Sequence, residues 1–130
     1  MAERKAKSVF IIDDDAFLLE MYALKFTQKG YDVATAPGTV EALEKLRDGL
    51  VPDVMLVDIV MPTMDGFEFL AKIREEHLAK GATIIVLSNL GQPEDIEKGL
   101  ALGAAGYIIK ASATPSEVVE KVEETLTRRS

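Results

Sequence analysis

The sequence contains no cysteine, only one histidine and fewer basic than acidic residues. Without cysteine the chain has no disulfide framework, no thiolate nucleophile and no zinc–thiolate site. The 15 lysines and arginines stand against 22 acidic residues, and the net charge is −7. A nucleic-acid surface needs a basic face, so this charge argues against direct binding of DNA or RNA.

Long apolar runs are also missing. The first apolar run stops at Asp13, too early for the core of a signal peptide. No segment approaches the roughly 20 apolar residues that a membrane-spanning helix needs. We therefore expect a cytoplasmic location without membrane contact. The 130 residues fit one domain, and we expect that domain to span residues 1–130.

Short apolar runs alternate with amphipathic stretches along the whole chain, and turn residues separate them. Near-continuous apolar strands that alternate with helices predict an α/β fold, a doubly wound (βα)5 unit whose five-stranded parallel sheet has helices on both faces. The predicted strands are Val9–Ile12, Tyr31–Ala36 (an edge strand), Val54–Asp58, Thr83–Ser88 and Gly106–Lys110, and the predicted helices are Ala16–Lys29, Thr39–Leu50, Phe67–Lys80, Pro93–Leu102 and Thr114–Arg128.

The residues at the carboxyl ends of the strands are the candidates for chemistry, because ligands of open doubly wound sheets bind beyond those ends. No glycine-rich phosphate loop and no histidine reaches this edge. The side chains that the strands deliver there are Asp13, Asp14 and Asp15, then Asp58, Ser88 and Lys110.

Several polar residues have a purely structural explanation. Asp15 directly precedes a predicted helix and is better explained as its N-cap than as a ligand. Ser88 or Lys110 alone would be an ordinary turn hydroxyl or a solvated charge. A structural role explains Asp58 less well, because this residue ends a central apolar strand and begins a loop instead of a helix. The single histidine, His77, is expected on the solvated surface, and packing explains Met55, Met61 and Met64.

The clustered carboxylates need a compensating positive charge. At an effective dielectric constant near 20, two carboxylates about 5 Å apart repel by roughly 3 kcal/mol. Oxygens from Asp13, Asp14 and Asp58 suit Mg²⁺, which prefers oxygen ligands and retains several waters. A carboxylate beside Mg²⁺ and a lysine can attack a phosphoryl group, because the cations neutralise the charge on its oxygens.

Four motifs make this sequence similar to a known family. The motifs "IIDDD", "LVDIVMPTMDG", "VLSN" and "AAGYIIK", in this order at predicted strand ends, resemble those of the receiver domain of bacterial two-component response regulators. The resemblance covers essentially the whole chain and implies the flavodoxin-like strand order 2-1-3-4-5. It also implies a signalling switch that catalyses only its own phosphorylation and slow dephosphorylation. No effector domain follows in this sequence, so we expect either a stand-alone regulator or an excised receiver domain.

The resemblance implies partners as well as chemistry. The phosphoryl group would come from a sensor histidine kinase, a phosphotransfer protein or a small phosphodonor. The output would be control of a downstream protein that the sequence does not identify. We expect a monomer or a weak, phosphorylation-dependent dimer.

The implied metal site involves four residues. Asp58 is the phosphoacceptor and also contributes to the metal site. Asp14 would ligate Mg²⁺ directly, with Mn²⁺ as an alternative metal, and Asp13 would act mostly through water. The backbone carbonyl of Val60 would complete the protein's share of the metal shell.

The implied switch involves three further residues. Ser88 is the switch hydroxyl, Lys110 is the phosphoryl-binding lysine and Tyr107 is the aromatic switch. On phosphorylation Ser88 and Lys110 would move toward the phosphoryl group, and the Tyr107 ring would fill the space they leave. The surface formed by the fourth helix, fifth strand and fifth helix would then change shape.

Three features depart from the usual pattern of the family. Ala111 follows the lysine where the family typically has proline in a cis peptide bond. A non-proline cis bond costs about 2.5–4 kcal/mol, which favours a trans bond here, although the sequence alone leaves the isomer open. Asn89 replaces a small residue and would narrow access to the phosphoacceptor. Val60 and Leu90 are apolar, and we expect them to exclude water and make self-dephosphorylation slow.

Two other functions compete with this reading. The first is a haloacid-dehalogenase-type phosphatase, because an apolar strand runs into the Asp-x-Asp pattern at residues 13–15, with Ser88 and Lys110 as further motif residues. Such an enzyme needs more acidic residues soon after the lysine, and the stretch "KASATPSEVV" offers only Glu117, which lies within a predicted helix cap. The second is a binding module that has lost phosphotransfer and acts as a scaffold.

Overall fold

The computed structural model describes residues 7–129, so the basic flank within residues 1–6 lies outside the described residues. No helix in this part of the chain combines the length and the apolar character needed to cross a bilayer. The strands are β1 Ser8–Ile12, β2 Asp32–Ala36, β3 Val54–Val57, β4 Thr83–Ser88 and β5 Gly106–Ile109, and the helices are α1 Ala16–Gln28, α2 Thr39–Arg47, α3 Gly66–Glu75, α4 Pro93–Ala101 and α5 Pro115–Arg129.

The strands form one parallel sheet in the order β2-β1-β3-β4-β5. The expected strand order and fold class are therefore confirmed, with β2 at an edge. The central strands β1 and β3 are almost entirely buried, because helices cover both faces of the sheet. Their carboxyl ends meet at the middle of one edge.

Alternate residues of β1 enter two separate hydrophobic cores. Phe10 and Ile12 point into the core beneath α2 and α3, whereas Val9 and Ile11 point into the core beneath α1 and α5. This alternation follows from the two-residue period of a strand. The methionines serve packing as predicted: Met55 and Met61 are buried and Met64 packs against the same core.

Most helix starts are fixed by polar caps. Asp15 is the N-cap of α1, as predicted, and accepts a hydrogen bond from the Leu18 N–H at 3.1 Å. Thr114 and Glu117 form the predicted capping box of α5. A second capping box, formed by Asp65 and Glu68, begins α3 and was not predicted.

Helix α3 ends five residues earlier than predicted. Its end was missed because the left-handed residue after it is not glycine, which is the usual signal in the sequence. The predicted helix continued to Lys80, but His77 has a positive φ of 58°. The N–H groups of His77 and Leu78 donate to the carbonyls of Arg74 and Ile73, at 3.2 and 2.8 Å. This pair of bonds is a Schellman motif, which usually has glycine at the left-handed position. His77 is solvent-exposed, as expected.

Candidate functional site

Three carboxylates converge at the carboxyl ends of β1 and β3. These strands pair in register up to Ile12 and Val57, so the residues that follow them lie side by side. Asp13 is 1% exposed and Asp58 is 6% exposed, whereas Asp14 lies on the surface. One carboxylate oxygen from each of the three residues lies within 4.8 Å of the others.

Lys110 connects two of these carboxylates. Its Nζ lies 2.7 Å from Asp13 Oδ2 and 2.8 Å from Asp58 Oδ2, and its side chain is only 9% exposed. The predicted strand through Lys110 ends one residue earlier, at Ile109, and Lys110 instead begins a 3₁₀ turn that extends to Ser112. The bend of this turn follows the last pairing of β5 and leaves the long lysine side chain over the acidic pocket.

Burial and hydrogen bonds together shift the pKa values of Asp13 and Lys110. Burial raises the pKa of the Asp13 carboxyl, although its bonds with Lys110 and with the Asp15 N–H oppose that shift. Burial alone would lower the pKa of Lys110, but its bonds with Asp13 and Asp58 outweigh burial and raise that pKa. The ammonium group therefore stays charged at neutral pH.

The donor set fits a hard divalent cation. The pocket holds three carboxylates and one ammonium group, which contacts two of them, so the pocket has an excess of negative charge. Carboxylate oxygens are the ligands that Mg²⁺ prefers, and Mg²⁺ needs only a few protein ligands because it retains water. The described residues offer neither cysteine nor histidine to this cluster, so the set does not favour a softer metal.

The two oxygens of Asp58 have different partners. Oδ1 accepts hydrogen bonds from the backbone N–H groups of Ile59 at 2.7 Å and Val60 at 3.4 Å, while Oδ2 faces Lys110. The start of α3 packs closely here. A Cβ on Gly66 would lie 2.4 Å from the Asp58 carbonyl oxygen, so only glycine fits this contact. The N–H groups of Ile59 and Val60 hold the Asp58 carboxylate in one orientation.

The two predicted switch residues, Ser88 and Tyr107, lie on the neighbouring strands β4 and β5. Ser88 is fully buried at the end of β4, and its hydroxyl accepts the Leu90 N–H at 3.2 Å. The Tyr107 hydroxyl donates to the Leu90 carbonyl. Among residues 7–129 neither side chain hydrogen-bonds to Asp58, so the two predicted switch residues are connected to each other through Leu90.

One contact near the site was not predicted from the sequence. The Asn89 side-chain carbonyl accepts a hydrogen bond from the Ala111 N–H at 2.8 Å. The described chain contains no cis peptide bond, so the Lys110–Ala111 bond is trans. No local sequence pattern predicts this hydrogen bond, because its two residues are 22 positions apart in the chain.

Comparison with known proteins agrees with this geometry. Residues 9–123 match the family model described as the response regulator receiver domain. The chain is 35% identical over 123 residues to the chemotaxis protein CheY of Halobacterium salinarum, an alignment that covers 94% of this chain and 98% of that protein. It is 38% identical over 121 residues to CheY of Treponema pallidum, covering 91% and 81%.

Solved structures show the same relationship. The chemotaxis protein CheY4 of Vibrio cholerae superposes with a TM-score of 0.84 at 30% identity, over 93% of this chain and 99% of that chain. A CheY-like receiver domain protein from Methanospirillum hungatei superposes with a TM-score of 0.85 at 29% identity, over 95% and 96%. The chain therefore belongs to the response regulator receiver domain family, whose members are phosphorylation-dependent signalling modules that bind Mg²⁺ at an acidic pocket.

Proposed function

We propose that this protein accepts a phosphoryl group on Asp58 in an Mg²⁺-dependent reaction and passes the signal on as a change of surface shape. The donor would be a sensor histidine kinase or a phosphotransfer protein. The observation that carries the proposal is the buried Lys110 ammonium group, which contacts both Asp13 and Asp58 at the meeting point of three strand ends. A cation fixed beside a buried carboxylate is what transfer of an anionic phosphoryl group requires.

The residues divide the chemistry among them. Asp13, Asp14, Asp58 and the Val60 carbonyl would hold Mg²⁺, which when bound supplies positive charge to the phosphoryl oxygens. The Asp58 oxygen that faces Lys110 attacks phosphorus. A new P–O bond forms as the P–N bond to the donor imidazole breaks, and that imidazole leaves with the bonding electron pair. Lys110 stabilises the charge that moves onto the transferred group.

The signal would pass from the pocket to the surface through the loop after β4. A phosphoryl group adds a charge of roughly −1.5 to −2 and three acceptor oxygens. The Ser88 hydroxyl can donate to one of those oxygens, which changes its contact with the Leu90 N–H. Leu90 also accepts from the Tyr107 hydroxyl, so a shift of Leu90 alters the ring that lies against α4. The α4–β5–α5 surface would then bind the downstream protein.

The structure weakens the phosphatase alternative. The acidic residue considered for such a site is Glu117, which lies on the surface at the start of α5. Its Oε1 accepts the Thr114 N–H at 2.8 Å, so it serves the capping box. The scaffold alternative requires a defective site, whereas every predicted catalytic side chain is present. The cytoplasmic location and the oligomeric state, a monomer or a weak phosphorylation-dependent dimer, stay predictions.

The test is the intact mass of the protein after incubation with Mg²⁺ and a small phosphodonor such as acetyl phosphate. We expect one added phosphoryl group in the parent, none in Asp58→Asn, and one in the matched control Asp48→Asn, whose carboxylate is exposed at the end of α2. Undiminished labelling of Asp58→Asn would move the acceptor elsewhere. Sustained turnover of a phosphomonoester would favour the phosphatase.

A further inference from the structure

Asn89 links the two chain segments that carry Ser88 and Lys110. The backbone pairing of β4 with β5 ends at Ser88 and Ile109. Beyond that pair, the Asn89 side-chain Oδ1 accepts the Ala111 N–H at 2.8 Å. A side chain therefore continues the connection between the two segments where the backbone ladder stops.

We propose that Asn89 is a positioning residue for phosphoryl transfer. By holding the backbone directly after Lys110, it fixes the direction from which the ammonium group reaches Asp58. The role rests on the proposed function of Asp58. It adds a residue that does not touch the phosphoryl group and acts through the lysine.

The segment that Asn89 holds has few other restraints. The 3₁₀ turn comprises only three residues, Lys110–Ser112, and the backbone bond that closes it, from the Ala113 N–H to the Lys110 carbonyl, is long at 3.3 Å. A displacement of this turn would move the Lys110 backbone, while its Nζ must stay within hydrogen-bond distance of Asp58 Oδ2 at 2.8 Å. Misplacement of a reacting group by about 1 Å can cost on the order of a hundredfold in rate.

The contact lies on the surface, which makes it accessible to mutation. Asn89 and Ala111 are both solvent-exposed, so shortening the Asn89 side chain opens no cavity in either core. Any residue except proline at position 111 supplies the N–H donor. We therefore expect Asn89→Ala to fold like the parent.

Amide hydrogen exchange, followed by NMR on the unphosphorylated protein, tests the contact itself. The Ala111 amide should exchange slowly in the parent and faster in Asn89→Ala. Asn89→Asp keeps an acceptor oxygen at the same place and should retain the protection. An equally fast exchange in the parent and in Asn89→Ala would show that the bond does not form in solution and overturn the proposal.

Kinetics test the role in positioning. With a small phosphodonor, Asn89→Ala should be phosphorylated roughly three- to tenfold more slowly than the parent, because its lysine is less well oriented. Its affinity for Mg²⁺ should not change, since the Asn89 side chain bonds to the Ala111 backbone and is not one of the carboxylates of the site. The control Ser112→Ala removes an exposed hydroxyl from the same turn and should behave like the parent.

The outcomes separate the two proposals. A parent protein that takes up no phosphoryl group overturns the proposed function and this role with it. A phosphorylated parent whose Asn89→Ala variant reacts at the same rate overturns the role of Asn89 alone. A faster variant does so too, because that result is what narrowed access to Asp58 predicts. So does a variant that loses Mg²⁺ affinity by the same factor as rate, because that result indicates general damage to the pocket.

Discussion

Asp13 is a residue whose placement opposes stability. Its carboxyl is 1% exposed and lies close to the second buried carboxylate, Asp58, with one ammonium group between them. Without metal, we expect Asp13→Asn to raise the free energy of unfolding at pH 7 by about 1–2 kcal/mol, since it removes the cost of burying a charged carboxylate and, to a smaller extent, its repulsion from Asp58. Urea denaturation in the presence of a chelator measures this.

The raised pKa of Asp13 predicts how the effect of Asp13→Asn on the free energy of unfolding changes with pH. Burial raises the Asp13 pKa above its ordinary value of 3.8, so the folded protein keeps a proton that the unfolded chain has already released. The cost of the charged form is therefore fully present above the raised pKa and disappears as the pH falls below the ordinary value. The advantage of Asp13→Asn should shrink in acid. An equal or lower stability of the variant at pH 7 would contradict this account.

Val60 and Leu90 concern the lifetime of the phosphoryl group. Val60 is 61% exposed beside Asp58, whereas Leu90 is half-buried against the core. Neither side chain can orient a water for attack. We expect the double variant Val60→Asn, Leu90→Glu to lose its phosphoryl group roughly tenfold faster, equivalent to about 1.4 kcal/mol of barrier. The decay of the phosphorylated intact mass measures this lifetime.

The exposed valine Val51 offers a matched control for the change at Val60. It is 78% exposed, and Val51→Asn repeats the same chemical change away from the pocket. This control should decay like the parent. A double variant that keeps its phosphoryl group as long as the parent would show that the apolar pair does not exclude water.

At the scale of the elements, the end of α3 stores backbone strain. His77 occupies a left-handed conformation, which costs an L-residue roughly 1–2 kcal/mol. Glycine avoids this strain, but it loses more conformational freedom on folding, and that loss cancels part of the gain. We expect His77→Gly to raise the free energy of unfolding by about 0.5–1 kcal/mol. Thermal denaturation measures the gain, and His77→Ala should show none because it keeps the Cβ.

The elements also show how far the sequence could predict this protein. The ends of α1, α2 and α4 were predicted to within three residues because glycines lie at their left-handed positions, Gly30, Gly49 and Gly103. At α3 His77 replaces that signal, and the helix was extended too far. The acidic pair and its lysine were predicted because parallel strands end at one edge. The bond between Asn89 and Ala111 was not, because it depends on how two loops fold.

At the scale of the whole molecule, the acidic site exists only in the folded protein. The three carboxylates lie within 4.8 Å because β1 and β3 are neighbours in the sheet, although Asp13 and Asp58 are 45 positions apart in the chain. In the unfolded chain nothing holds Asp58 beside Asp13 and Asp14. Any cation that this site binds must therefore stabilise the entire domain, by an amount that its concentration and dissociation constant determine.

This linkage leads to a prediction for Mg²⁺. At a free concentration about 100 times its dissociation constant, Mg²⁺ should raise the free energy of unfolding by about 2.7 kcal/mol, and a chelator should reverse the gain. Asp14→Asn should abolish most of it, because Asp14 is exposed and its loss disturbs the site without disturbing the core. Asp48→Asn is the control and should respond to Mg²⁺ like the parent. Equal Mg²⁺ stabilisation of the parent and of Asp14→Asn would show that the cation binds elsewhere.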